Sequence, residues 1–406
     1  MAIRSGGNWV YEAMKPGRTI VVAALGTTQT LAWASTYYLP AILGAPIAAA
    51  LGISTSVFFG IFSASLLLSA AISPWIGRLI DEHGGRGVLV LSNAILAAGL
   101  AMLGLAQGAV GVGLAWALLG AGMAMGLYDP AFATLTRLYG REARAAITGI
   151  TLIAGFASTV GWPASAWFEH AFGWRDACLI WAALNLFVAM PLNWLVLPAA
   201  PPLAHIVEPV RDRREAEPPR GAMPILAFYF AATAFVTGAM ASQLPRLLES
   251  AGATEAAAIA AGALVGPAQV AARLVEFGLM RSIHPVWSAR IASLMHPLGA
   301  AVLGMLGPVG VAPFTILHGG GNGMITISKG TLPLAIFGPA GYGLRNGLLS
   351  VPARIALSAA PFVFGLLLDR MGARALLVSA AVSVAAFASL LLLRQRSAPV
   401  VAAASN

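Results

Sequence analysis

The chain has 406 residues, of which 59% are hydrophobic and only 10% are charged. Soluble proteins carry about a quarter charged residues, so this composition excludes an ordinary soluble protein and predicts a polytopic membrane protein. The net charge of +9 does not indicate nucleic-acid binding, because Lys and Arg concentrate in alternate loops, as the positive-inside rule describes. The single cysteine, Cys178, excludes an internal disulfide, and the six histidines lack metal-ligand spacing, so we expect no cofactor and no metal.

The apolar runs predict twelve membrane spans, at about 20 residues for each span. They cover residues 19–43, 54–77, 87–106, 110–136, 145–168, 174–197, 222–247, 254–280, 287–306, 309–334, 342–367 and 374–393. The predicted regions are a cytoplasmic N-terminus (1–18), an N-terminal six-helix bundle (19–198), a cytoplasmic linker (199–221), a C-terminal six-helix bundle (222–393) and a cytoplasmic tail (394–406). The linker is assigned because this segment is rich in Pro and charge.

Span 1 is more polar than a helix that faces only lipid. It contains Gln29, Trp33 and Tyr37 among several other hydroxyl and ring side chains. Hydrogen-bonding groups and aromatic rings suit the wall of a cavity for a small polar organic molecule. For Tyr37, a position in the aromatic belt at the membrane surface is the alternative interpretation.

The charged stretch GRLIDEHGGR, Gly77 to Arg86, lies between two long apolar runs. An unpaired charge such as that of Asp81 is costly in hydrocarbon, so the stretch predicts a loop at a membrane face. Its spacing resembles the loop between spans 2 and 3 of the major facilitator superfamily, in which a Gly allows close helix approach and the Asp faces a neighbouring helix N-terminus. The resemblance implies that Gly77, Asp81 and Arg86, with Arg144 in the next basic loop, form contacts that break and re-form during transport.

An internal repeat points to the same superfamily. Residues 133–149, ATLTRLYGREARAAITG, align with residues 330–347, GTLPLAIFGPAGYGLRNG. Two six-span halves in parallel repeat, with substrate bound at the midplane between them, are the architecture of major facilitator transporters. The Gly, Tyr and Pro residues of segment 122–130 resemble those of the monocarboxylate and oxalate:formate antiporter branch. The resemblance implies an all-α polytopic membrane protein with a major facilitator fold, and a monomer.

Among the charged residues of the predicted spans, five are expected to be buried inside the membrane, where ionisable groups commonly mark substrate or ion pathways. They are Asp129, Arg273, Glu276, Lys329 and Arg354. A guanidinium group matches the planar shape of a carboxylate, so Arg354, with Arg273, is predicted to hold an anionic substrate. These two residues also resemble the basic pair that clamps substrate carboxylates in the oxalate:formate branch. The alternatives are an ion pair of Arg273 with Glu276, and pairing of Arg354 with Asp129 or with a carbonyl group.

Asp129 and Glu276 are the acids available for proton coupling, because a carboxyl group that leaves water binds a proton more readily. For Asp129, a fixed ion pair that latches one conformation is an equal alternative. On span 10, His318 and Asn322 are candidate substrate contacts beside Gly319–Gly321, which we expect to interrupt the helix. The alternative is a packing role for the glycines, and Lys329 is expected to reach the cytoplasmic interface.

These observations predict a secondary active transporter that is not an enzyme and works by alternating access in the lipid bilayer of a bacterial inner membrane, with both termini cytoplasmic. The expected substrate is a small organic anion, a carboxylate above all, with a proton as the candidate coupling ion and no nucleic-acid partner. Uptake and export, by symport or antiport, are both open. The alternative function is a proton-driven exporter of drugs or other toxic organic compounds.

Overall fold

The computed structural model describes residues 17–199, 218–280 and 282–393. These residues are helical almost throughout and contain no β-strand. Seven helical stretches among them are long and apolar enough to cross a membrane, and some of these stretches contain more than one span. Most of the predicted N-terminus (1–18) and linker (199–221), and all of the predicted tail (394–406), lie outside the described residues.

The helices of the described residues group into twelve spans, which confirms the predicted all-α polytopic bundle. In the first half, span 1 is α1 (Arg18–Ser35) with α2 (Leu39–Ala50), span 2 is α3 (Thr55–His83), span 3 is α4 (Arg86–Gly104), span 4 is α5 (Ala109–Gly126) with α6 (Tyr128–Tyr139), span 5 is α7 (Ala143–Ala154) with the start of α8 (Ala157–Leu184), and span 6 is the remainder of α8, the π-helical turn Asn185–Ala189 and α9 (Met190–Val196). In the second half, spans 7 to 12 are α10 (Ala222–Ser250), α11 (Glu255–Leu279), α12 (Pro285–Leu306), α13 (Val311–Phe337), α14 (Tyr342–Met371) and α15 (Ala375–Leu391).

Span 4 is broken where the sequence predicts a continuous helix. Leu127 has extended backbone angles, φ −86° and ψ −163°, and separates α5 from α6. The break falls just before Pro130, whose ring nitrogen cannot donate a helical hydrogen bond and is best tolerated in a first turn. As a consequence, Asp129 lies in the first turn of α6, where the partial positive charge of a helix N-terminus favours a carboxylate.

The structure corrects two predictions about where helices end or are interrupted. The stretch Gly77 to Arg86 is not a loop over its whole length, because α3 continues through Asp81 to His83 and ends at Gly84, which has φ 84°. Positive φ is readily adopted only by glycine.

The second correction concerns Gly319–Gly321, which lie inside an unbroken α13. A Cβ on Gly319 would lie 2.7 Å from the carbonyl oxygen of Val265 in span 8, and one on Gly321 would lie 2.8 Å from that of Ala292 in span 9. These glycines therefore allow span 10 to pack closely against spans 8 and 9, and they do not bend it.

The two halves meet closely where α3 crosses the start of α14. Gly77 lies against the backbone of Gly343, and Gly347 lies against the carbonyl group of Ser73. One turn beyond Gly77, the carboxylate of Asp81 accepts hydrogen bonds from the N–H groups of Gly343 and Leu344, both at 2.8 Å. We call this membrane face, where span 2 meets the N-terminus of span 11, the closed end of the molecule; by the order of the spans, the start of span 5 and the end of span 8 lie on the same face.

Replacing Gly77 with Ala is expected to disfavour the conformation that is closed at this end. The added Cβ would overlap the carbonyl group of Gly343, and overpacking of this kind costs about 1–3 kcal/mol. Ser73→Cys provides the measurement, because this side chain is 4% exposed at the same crossing and its reaction with a thiol reagent reports opening. Gly77→Ala should speed that reaction, whereas Gly87→Ala, whose Cβ would meet nothing within 4 Å, should not. Equal rates in the two variants would contradict the prediction.

Candidate functional site

A cavity of about 220 Å³ lies between the two halves. Its wall is contributed by spans 1, 2, 4 and 5 of the first half and by spans 7, 8, 10 and 11 of the second. The charged side chains in the wall are Asp129, Arg273, Lys329 and Arg354, and the aromatic ones are Trp33, Tyr37, Tyr38, Tyr128 and Phe230. The cavity is therefore both charged and aromatic, with three cations and one carboxylate.

The carboxylate of Asp129 is shared by two cations from the other half of the molecule. Its Oδ1 lies 3.2 Å from Lys329 Nζ, and its Oδ2 lies 3.0 Å from Arg354 Nη2. Ser350 donates a further hydrogen bond to Oδ2 at 2.6 Å, and Asn346 donates one to Oδ1 at 3.3 Å. We call Asp129, Lys329 and Arg354 the ion triad. It joins span 4 to spans 10 and 11.

The triad contains the ion pair that was the alternative interpretation of Arg354, and it corrects the placement of Lys329. Arg354 pairs with Asp129, and its Nη1 also donates to Ser69 Oγ on span 2. Lys329, which was expected to extend to the membrane surface, instead lines the cavity. The physical reason is that Asp129 offers it a charge partner in a place where water is scarce, and a buried carboxylate needs such a partner.

Arg273 differs from the other cations of the cavity because it has no acid partner among the described residues. It is 4% exposed. Its Nε donates to the Gly323 carbonyl at 3.4 Å and its Nη2 to Thr326 Oγ1 at 3.5 Å, both long, and its Nη1 has no partner. No carboxylate in the described ranges lies within ion-pair distance of Arg273, so the alternative pair with Glu276 is not formed.

Gly155, at the break in span 5, makes room for this guanidinium group because it has no Cβ. Gly155 follows the C-terminus of α7, and a Cβ at this position would overlap Arg273 Nη1. The C-terminal end of a helix carries a partial negative charge, which favours a nearby cation. Arg273 therefore extends from the second half to the first and touches the cavity wall on both sides.

Aromatic side chains of span 1 form one side of the cavity. The ring centroids of Trp33 lie 4.9 Å from Tyr128, 5.3 Å from Tyr37 and 6.1 Å from Tyr38. The indole Nε1 of Trp33 is buried without a hydrogen-bond partner. The structure thus places Trp33 and Tyr37 at the cavity, as expected of substrate contacts, and adds Tyr38 and Tyr128 to them.

The other predicted substrate contacts lie at or beyond the edge of this cavity. Gln29 is 1% exposed and donates to the Gly126 carbonyl at 2.6 Å, so it ties span 1 to the break in span 4 and does not line the cavity. Asn322 lines the cavity and accepts a hydrogen bond from Thr237 at 2.8 Å. His318 faces a smaller side pocket, where its Nδ1 lies 3.0 Å from Nδ1 of His296.

The predicted switch residues gather at the closed end. Asp81 caps the N-terminus of α14, as described above, and Arg144 Nη2 donates at 3.2 Å to the carbonyl of Met280, which follows the C-terminus of α11. A carboxylate thus meets a helix N-terminus and a guanidinium meets a helix C-terminus, and both arrangements are favoured by the helix dipole. Arg86 begins α4 and is partly buried beside this region.

Asp81→Asn is expected to loosen the closed end. Hydrogen bonds to a charged acceptor contribute about 1.5–3 kcal/mol and neutral ones about 0.5–1.5 kcal/mol, and an amide has one acceptor oxygen where the carboxylate uses two. The thiol of Ser73→Cys should therefore react faster in the Asp81→Asn background. Asp176→Asn, an exposed acid at the start of span 6, is the control that should leave the rate unchanged. An unaltered rate in Asp81→Asn would show that the cap does not hold this end closed.

Two helical halves around a charged central cavity define a membrane transporter. Residues 25–351 match the family model of the Major Facilitator Superfamily. The chain therefore belongs to the Major Facilitator Superfamily and is a multi-pass membrane protein, in a family of transporters rather than enzymes. No curated protein sequence matches it.

Solved structures share the fold at low sequence identity. The chain is similar to the human organic anion transporter MFSD10 (TETRAN), with a TM-score of 0.71 and 17% identity over 93% of this chain and 100% of that one. It is similar to a variant of the E. coli fucose:proton symporter FucP, with a TM-score of 0.70 and 14% identity over 94% and 100% of the chains. These structures show the shared fold, and the family model shows the superfamily. The monocarboxylate and oxalate:formate branch stays a prediction.

Proposed function

We propose that this protein is a secondary active transporter of a small organic anion, and that the anion is a carboxylate. The observation that carries the proposal is Arg273, a buried guanidinium in the cavity wall with an unpartnered Nη1 and no acid nearby in the described residues. A buried charge without a partner is costly. A substrate carboxylate would supply the missing partner.

The charge balance of the whole cavity supports the same substrate class. Arg273, Lys329 and Arg354 face Asp129 alone, so the empty cavity carries an excess of positive charge. Arg354 was expected to be the main anchor, but it is already occupied by Asp129 and Ser69. In the proposed complex Arg273 is therefore the anchor and Arg354 contributes charge. The structural likeness to a protein named an organic anion transporter also favours this class.

The proposed mechanism is alternating access about this cavity. The closed end carries the basic loops that the positive-inside rule places in the cytoplasm, so we assign the present conformation as outward-facing, with both termini cytoplasmic, in a bacterial inner membrane. Binding of the anion between the halves would be followed by separation of Asp81 from α14 and of Arg144 from Met280. The proposal includes a monomer as the working unit and a coupled proton, for which Asp129 and Glu276 are the candidate carriers.

The alternative function, export of drugs or other toxic organic compounds, is favoured by one observation. The rings of Trp33, Tyr37, Tyr38 and Tyr128 form a wall that suits a flat apolar molecule. A lipophilic cation would meet three positive side chains there and, in the described part of the chain, no unpaired acid in the wall. A neutral or anionic aromatic compound is therefore the form of this alternative that fits the cavity.

Thermal unfolding of the purified protein with a panel of compounds tests the proposal. The panel contains mono- and dicarboxylates, phosphorylated acids and lipophilic cations. A compound that binds only the folded state adds about 2.7 kcal/mol to its stability at a hundredfold excess over the dissociation constant. Stabilisation by carboxylates, and not by cations, is the expected result. Stabilisation by lipophilic cations alone would overturn the anion proposal in favour of drug export.

A further inference from the structure

We propose that Glu276 is the proton-binding site of this transporter, and that it is reached from the central cavity through a line of buried polar side chains in the second half of the molecule. The inference rests on the proposed function only in that the proton is coupled to transport of the anion. Glu276 lies near the end of α11, next to the closed end and outside the wall of the central cavity.

Glu276 has the surroundings of a carboxyl group that gains and loses a proton. It is 2% exposed, and its Oε2 has no hydrogen-bond partner. Ser288 of span 9 faces it, and Tyr229 of span 7 lies within electrostatic range of it. Both hydroxyl groups are also buried without hydrogen-bond partners among the described residues. An unpartnered buried polar atom carries its full desolvation cost. With a proton bound, the carboxyl group of Glu276 could donate a hydrogen bond, and these hydroxyl oxygens could accept it.

No ion pair prevents this carboxyl group from changing charge. Arg144 of span 5 lies close enough to act on it electrostatically, but it donates its hydrogen bond to the Met280 carbonyl. Within the described ranges no cation lies within ion-pair distance of Glu276. On span 9, Arg290 is engaged by the Leu390 carbonyl, and on span 8 itself Arg273 faces the central cavity.

His284, the remaining titratable group beside Arg144, uses Nδ1 to accept the N–H of Val286 at the start of α12. Its ring is therefore held in the cap of a helix. Arg144 is thus the charged group that responds to the state of Glu276. A proton on Glu276 would remove the negative charge that attracts Arg144, and Arg144 holds the closed end. Proton binding would therefore favour opening of that end.

A side pocket connects the central cavity with this region. Thr237 and Asn322 line both the central cavity and the pocket, whose volume of about 10 Å³ is close to the minimum that holds one water molecule. Ser293 lines the pocket and faces Tyr229, which lies within electrostatic range of Glu276. The path from the cavity to the carboxyl group thus consists of hydroxyl and amide side chains, with the side pocket between Asn322 and Ser293.

Two histidines on the pocket wall can assist proton movement along this path. Nδ1 of His296 and Nδ1 of His318 are 3.0 Å apart, and Nε2 of His296 lies 3.0 Å from Ser379 Oγ. Two ring nitrogens at this distance form a hydrogen bond in which one ring donates its Nδ1–H to Nδ1 of the other, and the tautomers of the two rings decide which one donates. The lining of the pocket contains no carboxylate, Lys or Arg, so a proton that enters it meets no fixed charge there.

The other buried acid of the described residues, Asp129, is unsuited to this task. It is held by Lys329 and Arg354 at 3.2 and 3.0 Å. Protonating it would leave two cations facing each other in a low-dielectric cavity, where like charges repel strongly. The triad therefore keeps Asp129 ionised and leaves Glu276 as the carboxyl group free to titrate.

Infrared difference spectroscopy of the purified protein tests proton binding without any substrate. Lowering the pH should produce the carbonyl band of a protonated buried carboxyl group in the wild type, and Glu276→Gln should lack that band. Glu255→Gln, which removes an exposed carboxyl group at the other end of α11, is the matched control and should keep it. A band that persists in Glu276→Gln overturns the inference.

Tyr229→Phe supplies a second variant, which keeps the ring and removes only the hydroxyl group. It should retain the band but slow its appearance after a pH jump, and an unchanged rate would overturn the proposed path. In proteoliposomes, Glu276→Gln should lose carboxylate accumulation driven by a pH gradient while substrate exchange persists, and retained accumulation would overturn the coupling. If no carboxylate binds the wild type, the proposed function fails, whereas the infrared result still decides the proton site.

Discussion

Replacing Arg273 with Gln is expected to weaken carboxylate binding by about 10- to 150-fold. A charge-assisted hydrogen bond to a buried partner contributes about 1.5–3 kcal/mol, and each 1.4 kcal/mol is a factor of ten in affinity. Gln retains a planar amide of similar reach but carries no charge. Titration calorimetry or ligand-induced thermal stabilisation with the best carboxylate of the panel measures the loss. The carboxylate affinity of Arg273→Lys should lie between those of the wild type and Arg273→Gln, because Lys keeps the charge but lacks the planar fork that fits a carboxylate.

The same variant separates a binding role from a structural one. In the empty protein Arg273 makes only long hydrogen bonds, to Gly323 and Thr326, and has no acid partner among the described residues. Removing such a charge should leave the melting temperature of the empty protein unchanged or raise it. Arg246→Gln, which alters an exposed arginine paired with Asp369, is the control and should not change carboxylate affinity. A lower melting temperature with intact affinity would assign Arg273 to structure.

Sequence patterns predicted the parts of this protein that depend on local composition. The apolar runs gave the spans because each must cover the hydrocarbon thickness with apolar residues. The buried charges Asp129, Arg273 and Arg354 were identifiable as candidate cavity residues because charge inside a span is rare and needs a reason. The resemblance of the stretch around Asp81 to the superfamily loop likewise implied its approach to a helix N-terminus.

What the sequence did not predict depends on contacts between spans. His318 and Lys329 lie on nearly the same face of α13 by helical periodicity, yet His318 meets His296 of span 9 and Lys329 meets Asp129 of span 4. The neighbour that covers one helical face changes along a tilted span. Helical periodicity gives the face but not that neighbour.

The breaks in the spans were missed for a related reason. The extended backbone at Leu127 and the turn at Gly155 lie within apolar sequence, and only Pro130 gave a local signal for the first of them. Both breaks adjoin the cavity: one brings Asp129 to a helix N-terminus, and Gly155 at the other makes room for Arg273. Non-helical backbone at membrane depth is tolerated where it is covered by protein or lines a cavity, so its position follows from the cavity rather than from the local sequence.

Asp129→Asn is expected to destabilise the protein by about 3–5 kcal/mol, the usual cost of removing one partner from a buried ion pair. Asparagine keeps the shape and can still accept from Ser350, but Lys329 and Arg354 would then face each other without a counter-charge. The melting temperature in the absence of ligand measures this effect. Asp369→Asn is the matched control, because this aspartate also pairs with an arginine, Arg246, but at 59% side-chain exposure. Exposed pairs contribute at most about 1 kcal/mol.

A second substitution distinguishes charge imbalance from lost packing. In the Asp129→Asn/Lys329→Gln double variant, Arg354 is the remaining charge of the triad. The net local charge therefore equals that of the intact triad, in which two cations face one carboxylate. Much of the lost stability should therefore return, since exchanging a buried ion pair for neutral groups is often nearly neutral. Carboxylates should also stabilise Asp129→Asn more than the wild type, because an added anion can take the place of the missing charge. If the double variant is no more stable than Asp129→Asn, the triad acts through its shape and not through its charge.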